Sequence, residues 1–302
     1  MSTSSPSSKK HLVLAGMTVI LWSTGFVFTR IAVTYFSSYS VGLLRYLSAS
    51  VVLIIIGFYK NIGLPHKKDI PLFFVLGALG FALYQLLFNI ALTTITAATA
   101  SVIAATVPVL TALFASIIFK ERLNTMGWIA VAIEFSGILI LTFWHREVSV
   151  GLGILWMLIA ALSFAAYNLI QRFSTSYYTP LQATIYSIIA STILLLPFLP
   201  ITIREVSQAP WQPIAAVVFM GIFPSAIGFI LWTRALSIAP QIGDVTNFMF
   251  LTPLLSTLLG ILLIGEFPDL GTLWGGVIIL LGVALFNNRH RIIKRMKLYR
   301  PS

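Results

Sequence analysis

No cysteine occurs among the 302 residues, so neither a disulfide framework nor thiol chemistry is available. Acidic side chains are nearly as scarce, eight in all, and charged residues make up only 9% of the chain, against about 25% in ordinary soluble domains. So little polar surface cannot cover a water-soluble core of this size. The HExxH, GxSxG and GKS/GKT patterns are missing too, which removes the common hydrolase readings and an ATP-driven pump for this chain alone. Neither a cofactor nor a metal is implied.

Apolar residues are abundant instead, at 58% of the chain, with a mean hydropathy of +0.97. Apolar stretches at 12–33, 40–59, 71–92, 97–119, 126–144, 152–171, 181–199, 213–234, 244–264 and 270–287 predict an all-α polytopic membrane protein of ten transmembrane helices. At 1.5 Å per residue such runs cross roughly 30 Å of hydrocarbon. The first run follows the polar stretch MSTSSPSSKKH, residues 1–11, and lacks a small-residue cleavage pattern, so it reads as a retained span.

Charge orients the bundle. With the N-terminus cytoplasmic, the inner segments collect Lys9, Lys10, Lys60, Lys67, Lys68, Lys120, Arg122, Arg172, Arg234 and the six basic residues of 288–302. Only Arg146 and Arg204 fall in outer segments. This bias predicts both termini on the cytoplasmic side of the cytoplasmic membrane. It also accounts for the net charge of +11 without nucleic acid, since no polar domain offers a basic face. The basic C-terminal stretch reads as an anchor drawn to anionic membrane lipid.

The chain repeats itself. TVPVLTALFASIIFKE at 106–121 returns as LTPLLSTLLGILLIGE at 251–266, so that Pro108 pairs with Pro253, Glu121 with Glu266 and Gly137 with Gly282, each 145 positions apart. Five helices separate the paired positions. An odd number inverts the second copy in the membrane, which predicts two inverted five-helix repeats, 12–144 and 152–287, with a solute site near the midplane between them. One chain then supplies what smaller carriers obtain by pairing: a monomer is sufficient, and a homodimer stays open.

Polar groups at membrane depth are costly unless they face a cavity or one another. Tyr84, Gln85 and Asn89 on the third helix, Tyr167 and Asn168 on the sixth and Asn247 on the ninth are candidates for solute contact or for helix-to-helix hydrogen bonds. Trp22 and Trp232 lie deep enough to stack on a solute or to pack between helices. Pro108 and Pro253 each remove a helical hydrogen bond and are candidate gates, breaks or bends. Glu134, near the middle of the fifth helix, is the candidate for proton coupling, for pairing with a cationic group or for neutral burial in a helix interface. Arg30 and Arg45 can snorkel outward or draw an anionic or zwitterionic solute, and Asp244 is a weaker charged candidate.

The pattern resembles the drug/metabolite transporter superfamily, in particular its ten-helix EamA-type members, from Leu14 to Asn287. The resemblance rests on Trp22, Ser23 and Arg30 in LWSTGFVFTR, on Arg45 in LLRYL, and on Pro108, Glu121, Gly127 and Gly137 with the later Pro253, Glu266 and Gly282. Ser23 to Phe26 depart from the glycine and asparagine frequent after the first-helix tryptophan, and Ser40 from a frequent proline. The resemblance implies secondary transport of a small-molecule substrate, with export of amino acids or related zwitterionic compounds as the leading expectation; Glu134, by its depth, is the residue expected to carry proton coupling. Import of a cationic or amphipathic metabolite is the alternative, and a membrane scaffold or receptor a more distant one.

Overall fold

The computed structural model describes residues 10–118, 125–144, 148–174, 177–238, 245 and 247–298. It is all-helical among the described residues. Eight helical spans are long and apolar enough to cross a membrane: α1 (Lys10–Ala32), α2 (Ser38–Tyr59), α3 (Lys67–Ala91), α4 (Ala97–Ile118), α5 (Thr125–Trp144), α6 (Val148–Ser174), α7 (Pro180–Gln208) and α8 (Trp211–Ala235). Two helices with shorter apolar stretches complete the set of about ten: α9 (Leu251–Ile264) and α10 (Leu270–Leu298), whose apolar part is Leu270–Phe286.

Local chemistry sets the helix ends. Ser37 accepts the Ser40 N–H to start α2, and Thr96 accepts that of Thr99 to start α4. Thr179 and Gln182 form a capping box ahead of α7, with Pro180 at its first turn. Asp269 accepts the Thr272 N–H at 2.8 Å and opens α10. Gly265, at φ 64°, ends α9, with the Glu266 N–H returning to the Gly260 carbonyl at 3.1 Å. That left-handed turn suits glycine and aims Glu266 back across the bundle.

α7 and α10 run well past their expected ends, while α9 begins at Leu251 rather than at 244, behind the 3-10 turn Asn247–Phe250. α7 passes through a 3-10 turn at Leu196–Phe198 and continues to Gln208, beyond the expected end at 199. Pro197 explains the tightened turn, and Thr202 holds the added segment by donating to Ser40 Oγ at 3.1 Å. α10 runs on to Leu298, so the basic stretch from 288 continues a helix.

Contacts at the two ends of the bundle follow the alternation of the chain. At one end Glu205 accepts the Ser37 N–H at 2.9 Å, and Glu266 accepts from Arg30 Nε and from the Ala97 N–H, each at 3.0 Å. At the other, Tyr178 donates to Asp69 at 2.7 Å and accepts the His66 N–H at 3.1 Å. Burial raises the Tyr178 phenol above its ordinary pKa, and the Asp69 hydrogen bond adds to the shift.

α5 and α10 lie tightly against each other, and their glycines pack reciprocally. A Cβ on Gly137 would stand 2.7 Å from Ile279 Cγ1, while one on Gly282 would stand 2.6 Å from Glu134 Cγ. The residues of one contact map onto those of the other at the 145-residue spacing, Gly137 onto Gly282 and Glu134 onto Ile279, as expected where two copies of one surface meet around a local twofold.

Candidate functional site

A cavity with about 840 Å³ of atom-free space lies among α1, α2, α3, α4, α6, α8 and α9. Its wall is largely apolar: Trp22 and Phe26, Phe81, Tyr84 and Phe88, Phe164 and Phe229. Polar atoms come from Arg45, Tyr46, Gln85, Ser101, Ser225 and Thr252.

Repeat-related residues line it in pairs. Gly80 and Ser225, Tyr84 and Phe229, Ala104 and Met249, and Val107 and Thr252 all face the cavity, and each pair is 145 positions apart. The backbone carries the same symmetry. α3 widens into a π-helix at Ala78–Ala82 and α8 into another at Gly221–Ile227. The Leu83 N–H donates to the Ala78 carbonyl and the Gly228 N–H to that of Phe223, bonds that again differ by 145 positions. Such wide turns recur at functional sites because they turn side chains and carbonyls away from the regular ladder.

The prolines contribute indirectly. α4 is interrupted at Ala105–Thr106, just before Pro108, and a 3-10 turn at Asn247–Phe250 precedes Pro253. A proline has no N–H for the carbonyl four residues earlier. Those carbonyls belong to Ala104 and Met249, both cavity-lining residues.

Of the residues expected from sequence, Trp22, Tyr84, Gln85 and Arg45 come together at the cavity. Trp22 Nε1 donates to the Pro224 carbonyl at 3.1 Å, which fixes its ring. Trp232 stands behind it, with ring centroids 5.0 Å apart. Gln85 donates to Asn89 Oδ1 at 2.6 Å, and Asn89 donates to the Ser38 carbonyl at 2.8 Å. Gln85 therefore has two duties, while Asn89, fully buried, ties α3 to the start of α2. Tyr167 packs behind Gly80 and Phe81, its ring centroid 5.3 Å from that of Phe81. Asn168 reaches Thr111 on α4 at 3.3 Å.

The other charged candidates lie elsewhere. Glu134 is 4% exposed in the α5–α10 interface, and its Oε1 has no hydrogen-bond partner among the described residues. Arg30 pairs with Glu266 at the end of the bundle and also donates to the Leu92 carbonyl at 2.8 Å. Asp244 lies outside the described residues, and Asn247 is described by its backbone alone.

Sequence reasoning missed Gly80, Phe81, Ser225 and Phe229. The signal available was the presence of two glycines within one apolar span of each half, Gly77 and Gly80 in the third and Gly221 and Gly228 in the eighth. Gly221 has a specific use, since a Cβ there would overlap the Arg45 carbonyl oxygen. Its absence lets α8 close on α2 beneath the arginine.

The EamA-like transporter family matches residues 9–143 and 151–288. An uncharacterized transporter, YdfC, of Bacillus subtilis is 30% identical over 87% of this chain and 86% of its own length. A probable terminal-alkyne amino-acid exporter of Streptantibioticus cattleyicolor is 29% identical over 90% of this chain and 92% of its own. A solved crystal structure aligns with a TM-score of 0.61 at 20% identity, covering 92% of this chain and 97% of the other, and bears on the fold alone.

Proposed function

Because the chain belongs to the EamA-like transporter family, we propose that it is a secondary carrier exporting amino acids or related zwitterionic compounds through the cavity between two inverted repeats. The supporting observation is the set of four lining pairs at one spacing. A site built from equivalent positions of two opposed halves can be offered to either side by rocking one half against the other. The similarity to a probable amino-acid exporter supports the substrate class and the direction. The distribution of lysine and arginine supports both termini lying in the cytoplasm.

Glu134 is the proposed proton site. It is a buried carboxyl with an unpartnered oxygen, packed where the two halves meet through α5 and α10. A proton gained or lost there changes the cost of that interface, which gives a route from proton to rocking motion without contact to solute. Pro108 and Pro253 act as the breaks beside the cavity, and Trp22, Tyr84 and Gln85 contact the solute.

Flux in liposomes tests the reading. Purified protein should move at least one labelled amino acid faster than protein-free vesicles do, with a rate that follows the imposed pH gradient. Equal rates for a full amino-acid panel under every gradient would contradict it.

A further inference from the structure

The paired framework leaves one lining residue unexplained. Among the described residues, Arg45 is the only charged one lining the cavity, and α7, the counterpart of its helix, holds no charge before Arg204. Its Nε donates to Ser225 Oγ at 2.8 Å, the one hydrogen bond of this guanidinium among the described residues. No described carboxylate lies near enough to pair with it, since the salt bridge found is that of Arg30 with Glu266. Gly25 leaves room beside the terminal nitrogens, where a Cβ would stand 3.6 Å from Nη2. A cation held in an apolar wall without a counter-charge is costly, and an anionic guest relieves that cost.

We propose that Arg45 is the carboxylate-binding residue of the cavity, and that its ligands are small organic acids, amino acids included, whose apolar body lies against Trp22, Phe88 and Phe229. The inference rests on the carrier reading above. Ser225 anchors Nε, so the planar fork is oriented, and the Nη pair remains to grip a carboxylate through two parallel hydrogen bonds. Nothing acidic among the described lining residues answers a substrate ammonium. Neutral acceptors do, namely Gln85, Ser101 and Thr252. The carboxylate is therefore required, and the amino group is accommodated without being required.

Matched triplets test this directly. One is L-leucine, 4-methylpentanoate and 3-methylbutylamine, which share an apolar body and differ in charge; others carry smaller and larger bodies. Thermal unfolding of the purified full chain should shift upward with the amino acids and the deaminated acids, and should not respond to the amines. Arg45→Lys keeps the charge and loses the fork, and should weaken the acid response about tenfold. Arg45→Gln should abolish it; its unliganded melting temperature and helical circular dichroism report whether it folds, and the lysine variant carries the test if it does not. Amines acting as strongly as acids, an unchanged acid response in both variants, or no response to any acid would each overturn the proposal. Binding without flux in liposomes would instead contradict the carrier reading alone, and flux insensitive to Arg45→Gln would contradict this inference alone.

Discussion

Arg30 and Glu266 meet across 236 positions of sequence, Nε to Oε1 at 3.0 Å, while the second carboxylate oxygen takes the Ala97 N–H at 3.0 Å. One carboxylate thus joins α1, the start of α4 and the turn after α9. Its repeat mate is Glu121, outside the described residues. The pair is partly exposed, 29% and 16%, so water screens some of its strength.

Glu266→Gln keeps the shape and removes the charge. We expect a loss of roughly 1–2 kcal/mol of stability, seen as a lower melting temperature, because the charged hydrogen bonds weaken and Arg30 loses its counter-charge. Arg30→Gln should cost less in the Glu266→Gln background than alone, since only the hydrogen bonds to the Leu92 and Thr93 carbonyls remain to be lost. Additive losses in that cycle would show that the two side chains act separately.

Gly80→Ala places a Cβ inside the Tyr167 ring. Overpacking of this kind costs about 1–3 kcal/mol. Because the same contact lines the cavity, flux should fall as well. Adding Tyr167→Ala should recover part of the alanine's cost, measured as non-additive melting shifts; full additivity would place the clash elsewhere.

The reciprocal glycines predict similar penalties. Gly137→Ala meets Ile279 and the Gly275 carbonyl, while Gly282→Ala meets Glu134 and the Ala130 carbonyl. Each should cost about 1–3 kcal/mol, with the two values close. A neutral result at either position would contradict the close packing of α5 on α10.

These three predictions draw on relationships of differing legibility. The number of spans and the 145-residue spacing are readable because hydrocarbon demands long apolar helices and because proline, glycine and glutamate are rare enough in such runs to mark a register. The cavity-facing identity of Tyr84, Gln85 and Trp22 is readable as polarity or bulk at depth. The π-helices are not, since one extra residue per turn depends on what α3 and α8 pack against: Tyr167 on one side, the α2 backbone on the other. Arg45 reads from sequence as a group near the outer interface, yet its partner Ser225 lies 180 positions away and draws it into the cavity. Glu134 reads as a deep carboxyl, and its place against Gly282 follows only from the reciprocal pairing of α5 and α10.

Tyr178, between α6 and α7, gives a pH dependence of stability. Its raised pKa means that the folded state favours the protonated phenol. The contribution is fully present below the unfolded value of about 10 and is lost as pH rises through the higher folded value. The melting temperature should fall above that range, and Tyr178→Phe should reduce the slope. An equal slope in the phenylalanine variant would assign the loss to other groups.

Glu134→Gln separates coupling from packing. If the carboxyl carries the proton, the variant keeps its helical fold and solute binding while the pH dependence of flux flattens. An unchanged pH profile would remove Glu134 from coupling and leave it as an interface residue.

The absence of native cysteine makes the central claim directly measurable. Ala104→Cys and Met249→Cys put single thiols at equivalent lining positions of the two halves. In liposomes, a membrane-impermeant thiol reagent should reach each of them from either side, block flux, and be slowed by transported amino acid. Complete modification that leaves flux unchanged would contradict a transport path through this cavity.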